Sequence, residues 1–224
     1  MTERQQFGRG WKLSVALGAL CAFALGIWAA GSWRMETGPR NGPAITQGGY
    51  FYHPGRGVVV EGLVDHHQQP FRLEDWRGHW LIVNFGYLSC PDICPVTLAI
   101  LNEVFVPPAP QQADLQLPEH FRILYVTVDP ERDKPEMMRE YLSYFGDFYL
   151  GITGSESQLT AFGRQLNAVF VSQKKDAADV NYTVSHSSSL AFINPQGEFV
   201  AMLKGPDDAR QLRQFLREVF AQGG

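Results

Sequence analysis

From residue 51 onward, short runs of hydrophobic residues alternate with polar turns. Residues 80–87 and 121–128 are continuous apolar runs, which are typical of strands buried on both faces of a sheet. Residues 189–193 and 198–203 are shorter runs on either side of an Asn-Pro-Gln-Gly turn, and they predict a hairpin. Apolar residues at helical spacing predict helices over 95–105, 135–145, 155–167 and 207–221.

Two further segments complete the predicted order of elements. Residues 51–64 alternate loosely and are followed by a polar turn, 65–70, and a short run, 71–73, which together predict an N-terminal hairpin. Residues 150–153 predict a short edge strand or loop. Buried strands that alternate with helices indicate an α/β fold with parallel central strands. A C-terminal hairpin followed by a helix is the thioredoxin arrangement, so we expect residues 51–224 to form a thioredoxin-like domain with an added N-terminal hairpin.

Residues 13–33 form an uncharged and mostly apolar stretch near the start of the chain. As a helix, these 21 residues would span about 31 Å, close to the ~30 Å hydrocarbon core of a bilayer. A cleaved signal peptide is the alternative, but its apolar region is usually only ~7–15 residues long. We therefore expect one transmembrane helix that anchors the chain.

The segments on either side of this stretch predict its orientation. Cationic residues are slightly more frequent before it than after it, which places residues 1–12 in the cytoplasm. Residues 34–50 are rich in Gly and Pro and poor in bulky apolar residues, so they are predicted to form a tether. The N-terminus is not rich in Arg and Ser, which disfavours a mitochondrial transit peptide. We expect a single-pass protein of the bacterial inner membrane with its C-terminal domain in the periplasm.

Composition argues against nucleic acid as a partner, and the cysteine content indicates which chemistry the protein can perform. The chain has a net charge of −4 at pH 7 and no basic stripe of the kind that nucleic acid requires. Of its three cysteines, Cys21 lies in the apolar stretch and is expected to be a packing residue. Cys90 and Cys94 remain as one close pair, which is too little for a disulfide scaffold and suggests redox or metal chemistry.

Cys90 and Cys94 lie between a predicted buried strand and a predicted helix. Ligands of α/β sheets bind at the carboxyl ends of the strands, and a helix N-terminus favours thiolates. We therefore expect both cysteines to have thiolate character. Three residues separate them, whereas redox dithiols most often have two, and this i, i+4 spacing lets both sulfurs lie on one side of a helical turn. Two thiolates with one neutral imidazole suit Cu(I).

His186 is the candidate for the third ligand. It precedes the first strand of the C-terminal hairpin, in a loop that faces the dithiol in a thioredoxin-like fold. Structural zinc would need a fourth ligand, and no second close pair of Cys or His supplies it. His66 and His67 fall in a predicted turn and are expected to be exposed to solvent. The remaining histidines have no partner pattern: His53, His79 and His120.

A second polar segment, Asp129-Pro130-Glu131-Arg132-Asp133, follows the second buried strand. It therefore lies at the same sheet edge as the cysteines. One interpretation is a polar rim that recognises a partner protein. The other is a loop that caps the following helix, and the residues favour neither interpretation over the other.

Taken together, these motifs resemble the SCO/SenC family. The run FGYLSCPDICP, residues 85–95, is similar to the metal loop of that family, and VDPERD, residues 128–133, resembles its second signature. His186, ahead of a strand and an Asn-Pro-Gln-Gly turn, matches its distal histidine. The three motifs occur in the order of the family within residues 55–220, which is nearly the whole predicted domain.

The resemblance implies a thioredoxin-like fold and copper bound by Cys90, Cys94 and His186, as Cu(I) with Cu(II) left open. It also implies a metallochaperone that delivers copper to, or reduces thiols in, the binuclear copper site of cytochrome c oxidase subunit II. A periplasmic copper donor and a thioredoxin-like reductant would be further partners. The family usually has Asp immediately before the distal histidine, whereas Ser185 stands here. A carboxylate can orient an imidazole, so this difference bears on metal affinity.

Two alternatives involve the same cysteines. A thiol–disulfide oxidoreductase or redox sensor would use Cys90 and Cys94 as nucleophile and resolving thiol. Thioredoxins have a cis-proline opposite the dithiol, and no proline precedes Leu190 here. A peroxiredoxin-like peroxidase would have Thr three residues before its reactive cysteine, but Tyr87 and Pro91 occupy those positions. We therefore expect enzymatic activity only in the form of thiol–disulfide exchange.

Overall fold

A computed structural model of the chain describes residues 44–46, 48–91, 93–106, 120–176 and 178–222. The predicted cytoplasmic N-terminus, the predicted transmembrane helix and most of the predicted tether lie outside these residues. Every helix within the described part of the chain is too short or too polar to span a bilayer.

The described residues form ten strands, four α-helices and one 3₁₀ helix. In chain order these elements are β1 (Ala44–Thr46), β2 (Gly49–Gly57), β3 (Val64–Asp65), the 3₁₀ helix (Leu73–Trp76), β4 (Trp80–Gly86), α1 (Ile93–Phe105), β5 (Phe121–Thr127), α2 (Pro135–Ser143), β6 (Tyr149–Thr153), α3 (Glu156–Gln165), β7 (Phe170–Ser172), β8 (Val184–His186), β9 (Leu190–Ile193), β10 (Glu198–Leu203) and α4 (Ala209–Gln222). One sheet has the order β1-β2-β10-β9-β4-β5-β6-β3, and β7 pairs with β8 in a separate sheet.

β4 lies inside the larger sheet, and all of its residues are buried. Its alternate side chains enter two hydrophobic cores, one on each face of the sheet. Ile82 packs in the core that includes residues of α1, α2 and α4, whereas Val83 packs in the core that includes residues of α3. Full burial of each such side chain contributes about 1.5–3 kcal/mol, so helices on both faces hold the central strands in place.

The predicted α/β architecture is confirmed in its main elements. The two long apolar runs form β4 and β5, which pair in parallel, and β5 pairs in parallel with β6. The C-terminal hairpin of β9 and β10 forms around Gly197, whose φ of +76° explains the glycine in that turn. Residues 150–153 belong to β6, which pairs with both β5 and β3 and so does not lie at an edge.

The predicted N-terminal hairpin is confirmed only next to its turn, where Val64 and Pro70 form an antiparallel bridge and the Phe71 N–H donates to the Leu63 carbonyl at 2.9 Å. The long first strand predicted over residues 51–64 is wrong. β2 pairs instead with β1, across a turn at Gly48 (φ +91°), and with β10. The short β3 pairs with β6, and Leu73 begins a 3₁₀ helix. Local alternation does not specify these partners, because strand pairing depends on contacts with distant segments. The sheet therefore begins within the last residues of the predicted tether.

Substitutions at two glycines of β2 test how this strand packs in the sheet. A Cβ atom at Gly49 would overlap the Phe215 ring of α4 and lie 2.6 Å from the Met202 carbonyl oxygen, whereas the Cβ position at Gly57 is open. We expect Gly49→Ala to lower the free energy of unfolding by about 1–3 kcal/mol and Gly57→Ala to change it by less than about 0.5 kcal/mol. Urea unfolding of the full-length protein measures both, and equal stability of the two variants would contradict this packing.

Candidate metal centre

The end of β4 and the start of α1 position the two cysteines. β4 is followed by a tight turn in which the Cys90 N–H donates to the Tyr87 carbonyl at 3.1 Å. α1 begins at Ile93, so Cys94 lies in its first turn. Pro95 follows in the same turn, where its missing N–H leaves no helical hydrogen bond unmade. The helix therefore starts directly at the carboxyl end of a central strand.

The structure brings Cys90, Cys94 and His186 together. Their ligand atoms, two Sγ and one imidazole nitrogen, all lie within 4.8 Å of one another. The distance from the Cys94 Sγ to the His186 Nε2 is 3.5 Å. Both cysteines are thiols and are not joined in a disulfide. Within the described residues, no other group of three His, Cys, Asp or Glu side chains could hold a metal ion in this way.

A second hairpin, which the sequence did not predict, positions His186. β7 and β8 pair so that Phe170 lies opposite His186, the last residue of β8. The His186 Nδ1 lies 3.1 Å from the Ser187 carbonyl oxygen. A carbonyl only accepts, so Nδ1 carries the proton and Nε2 presents its lone pair to the Cys94 sulfur. Burial lowers the pKa of His186, which keeps the imidazole in the neutral form that binds metals.

Ser185 has no part in orienting this imidazole. Its exposed hydroxyl accepts a hydrogen bond of 3.3 Å from the Gln173 Nε2. His186 is oriented instead by the Ser187 carbonyl, and the Tyr87 ring packs against it in a T-shaped arrangement with centroids 5.8 Å apart. The serine at the position where the resemblance leads us to expect Asp therefore leaves the orientation of His186 intact.

Burial changes the chemistry expected of Cys94. Its side chain is only 2% exposed. Loss of solvent, together with a hydrogen bond to Cys90, raises the pKa of Cys94 to about 12. The expectation that the helix N-terminus gives Cys94 thiolate character is therefore wrong, because desolvation of the charged sulfur outweighs the helix dipole. A metal ion must displace the Cys94 proton, which is released to solvent on binding.

Asp133 connects the cysteine loop to β5. Its buried Oδ2 accepts hydrogen bonds from the Leu88 N–H (3.0 Å) and the Thr127 hydroxyl (2.7 Å). Of the two interpretations of residues 129–133, capping of the next helix does not apply to Asp133, since the cap position of α2 is Lys134, whose side chain makes no capping bond. Burial raises the pKa of Asp133 to about 6, because its charged form is poorly solvated there.

Asp129 holds the segment that leads to His186. Its Oδ1 accepts a hydrogen bond of 2.7 Å from the Tyr182 hydroxyl, and its Oδ2 forms an ion pair with Arg132. The Arg132 guanidinium lies 3.8 Å above the centre of the Tyr182 ring. Like Asp133, Asp129 is buried, so neither carboxylate belongs to an exposed rim. Sequence reasoning missed this supporting role, although the position of the segment at the strand end pointed to it.

His66 is buried, contrary to the prediction of an exposed turn. Its Nδ1 accepts a hydrogen bond of 3.2 Å from the Gly151 N–H. The Nε2 of His66 therefore carries the proton and donates to the His67 Nε2 at 3.0 Å. Burial and the adjacent His67 both lower the pKa of His66. A metal ion on His66 Nε2 would take the place of the proton there, and the neutral ring would then carry its proton on Nδ1. Nδ1 could no longer accept from the Gly151 N–H, so this pair adds no second metal centre.

The fold and the cluster define a class of protein: an α/β domain that presents two thiols and one imidazole at the carboxyl ends of parallel strands. A family model described as SCO1/SenC matches residues 62–221. The chain belongs to the SCO1/SenC family.

Relatives and solved structures agree with this assignment. The mitochondrial SCO2 homologue of Mus musculus is 32% identical over 227 residues, which cover 98% of this chain and 83% of that protein. An SCO2-like protein of Rickettsia felis is 28% identical, with 69% of this chain and 73% of that protein covered. The crystal structure of yeast Sco1 with copper bound has a TM-score of 0.64 and 26% identity, and covers 74% of this chain and 89% of that chain. These likenesses confirm the predicted thioredoxin-like fold.

The buried carboxyl of Asp133 should make stability depend on pH. A folded-state pKa of about 6, above the ordinary 3.8, means that the folded state binds this proton more tightly than the unfolded state. The free energy of unfolding should therefore gain about 2 kcal/mol from this group as the pH falls from about 7 to about 4. Asp133→Asn, which keeps an acceptor oxygen without the charge, should lose that gain when both proteins are unfolded in urea across this range. An identical pH dependence in the two proteins would contradict it.

Proposed function

We propose that this protein is a membrane-anchored copper chaperone that binds copper through Cys90, Cys94 and His186 and assists assembly of the binuclear copper centre of cytochrome c oxidase. The observation that carries this proposal is the convergence of the three ligand atoms within 4.8 Å. Two thiolates and a neutral imidazole form a soft, three-coordinate donor set that Cu(I) prefers. The copper-bound structure of yeast Sco1 has the same fold, which supports copper as the cargo.

The unequal burial of the three ligands suits transfer of an ion. Cys94 is buried, whereas Cys90 and His186 are half-buried at the surface of the cluster. An incoming thiolate or imidazole from a recipient protein can reach the ion from the side of these two residues. Copper then leaves by stepwise ligand exchange, in which a ligand of the recipient replaces Cys90 or His186 before the bond to Cys94 breaks.

Residues 13–33 are proposed to anchor the protein in a bacterial inner membrane, with the metal-binding domain in the periplasm. Their apolar length supports this placement. The proposed recipient is subunit II of the oxidase, and the family resemblance supports it. A periplasmic copper donor would load the site, and a thioredoxin-like reductant would keep both cysteines reduced, because Cu(I) binds only the reduced dithiol.

Thiol–disulfide exchange is a second candidate function of the same site. Cys90 is the more exposed cysteine, as an attacking thiol should be, and Cys94 lies beside it as a resolving thiol. The raised pKa of Cys94 excludes it as the attacking thiolate, but it does not exclude it as the resolving thiol. Metal binding makes better use of this arrangement, since it also employs the His186 imidazole as a third ligand.

Anaerobic titration with Cu(I) against a competing chelator tests the ligand set. The reduced protein should bind one ion tightly, and Cys90→Ser, Cys94→Ser and His186→Ala should each weaken binding by about 100-fold or more, because each removes one of three bonds to the ion. His79→Ala is the matched control, since His79 lies outside the cluster, and it should bind like the wild type. Full affinity of His186→Ala would remove His186 from the ligand set. Weak binding by the wild type would favour thiol–disulfide exchange instead.

A test in cells addresses the recipient. Deletion of the gene should lower both the copper content of the binuclear centre and the activity of the oxidase in membranes grown at limiting copper. The wild-type protein should restore both quantities, whereas His186→Ala, produced at the same level, should not. A fully loaded oxidase in the deletion strain would contradict the proposed recipient without affecting the metal-binding result.

A further inference from the structure

Tyr125 carries a buried hydroxyl that makes no hydrogen bond with the described residues. The residue is fully buried in β5, and its Oη has no partner among the described residues. Buried tyrosine hydroxyls normally have one. Tyr149, a buried tyrosine of the same core, follows that rule, since its hydroxyl donates to the Asn102 Oδ1 at 2.9 Å. Within the described part of the chain, the Tyr125 hydroxyl therefore lacks a partner in the metal-free protein. Another state of the protein could supply one.

The surroundings of Gly86 show where this hydroxyl lies. A Cβ atom at Gly86 would be 2.9 Å from the Tyr125 Oη and 3.0 Å from the Cys94 Sγ. The hydroxyl and the sulfur are therefore within about 6 Å of each other, on the side of Gly86 where a side chain would stand. Any larger residue at this position would fill the space between them, so Gly86 keeps the two groups close.

The neighbouring polar atoms leave an excess of donors. Asn84 lies opposite Tyr125 in the pairing of β4 with β5, and its buried Nδ2 also has no partner in the described ranges. Among the buried side-chain atoms of the described residues, the one obligate acceptor without a partner is the Asp133 Oδ1, and it makes no hydrogen bond with the Tyr125 hydroxyl. An additional buried acceptor near Tyr125 would therefore be stabilised.

Copper loading creates that acceptor. Cys94 is a thiol in the metal-free protein, and a thiol is a weak acceptor. When a metal ion binds, the proton leaves to solvent and the sulfur becomes a thiolate that keeps lone pairs beyond the metal bond. Hydrogen bonds to metal-bound ligands from neighbouring residues raise metal affinity. We propose that Tyr125 is a positioning residue whose hydroxyl donates a hydrogen bond to the Cys94 sulfur in the metal-loaded site.

The inference rests on the proposed metal site, so its test uses two metals. The reduced full-length protein is titrated anaerobically with Cu(I) against a chelator and, separately, with Cd(II) by its thiolate-to-metal absorption. Tyr125→Phe removes only the hydroxyl and should weaken binding of both ions by about tenfold. The matched control, Tyr149→Phe, removes a hydroxyl that already has a partner away from the cysteines and should change both affinities by less than about twofold.

Stability of the metal-free protein distinguishes positioning from a structural role. Removing an unpartnered hydroxyl should not lower the free energy of unfolding of Tyr125→Phe, whereas Tyr149→Phe, which loses a hydrogen bond, should be less stable. Unchanged affinity for both ions in Tyr125→Phe would overturn the inference. A loss of metal-free stability in that variant would also overturn it, because the hydroxyl would then serve the fold.

The two metals separate this inference from the proposed function. Weak Cu(I) binding by the wild type, together with a Cd(II) affinity that falls in Tyr125→Phe, would overturn the copper function and support the role of Tyr125. Tight Cu(I) binding that is equal in wild type and Tyr125→Phe would support the copper function and overturn the role of Tyr125.

Discussion

The site depends on the parallel pairing of β4 with β5. Their seven registered pairs run from Trp80↔Phe121 to Gly86↔Thr127, and they bring two loops to one edge of the sheet. One loop carries Cys90, and the other carries Asp133, whose carboxylate accepts from the Leu88 N–H across that edge. A slip of one residue would exchange the side chains of a strand between the two hydrophobic cores. Core packing therefore determines the geometry of the cluster.

The same packing explains how much of the fold could be predicted from the sequence. The runs at 80–87 and 121–128 predict central strands because residues buried on both faces must be apolar. β7 and β8 have only three residues each and are partly exposed, so they carry no comparable pattern. The pairing of β2 with β10 joins segments about 150 residues apart, and no local sequence signal encodes such a partner.

The candidate site, like the fold, could be predicted from the sequence only in part. The chemistry of Cys90, Cys94 and His186 is visible in the sequence, because thiols and imidazole are the ligands that soft metals select. Their environments are not visible, since burial depends on which distant segments pack over a residue. For this reason the raised pKa of Cys94 and the structural role of Asp133 were inaccessible from residue types alone.

The raised pKa of Cys94 restricts its part in either function. In an oxidoreductase it could act only as the resolving thiol, since the attacking cysteine needs a thiolate that is already populated at neutral pH. In a metal site, the ion needs only to bind the Cys94 sulfur more strongly than the proton does. A buried sulfur then holds the ion away from competing water. In the proposed transfer, ligands of a recipient would replace those of this protein, and among the described ligands Cys90 and His186 are the more exposed ones. The division between one buried and two accessible ligands therefore favours a protein that keeps copper until a partner with its own ligands replaces them.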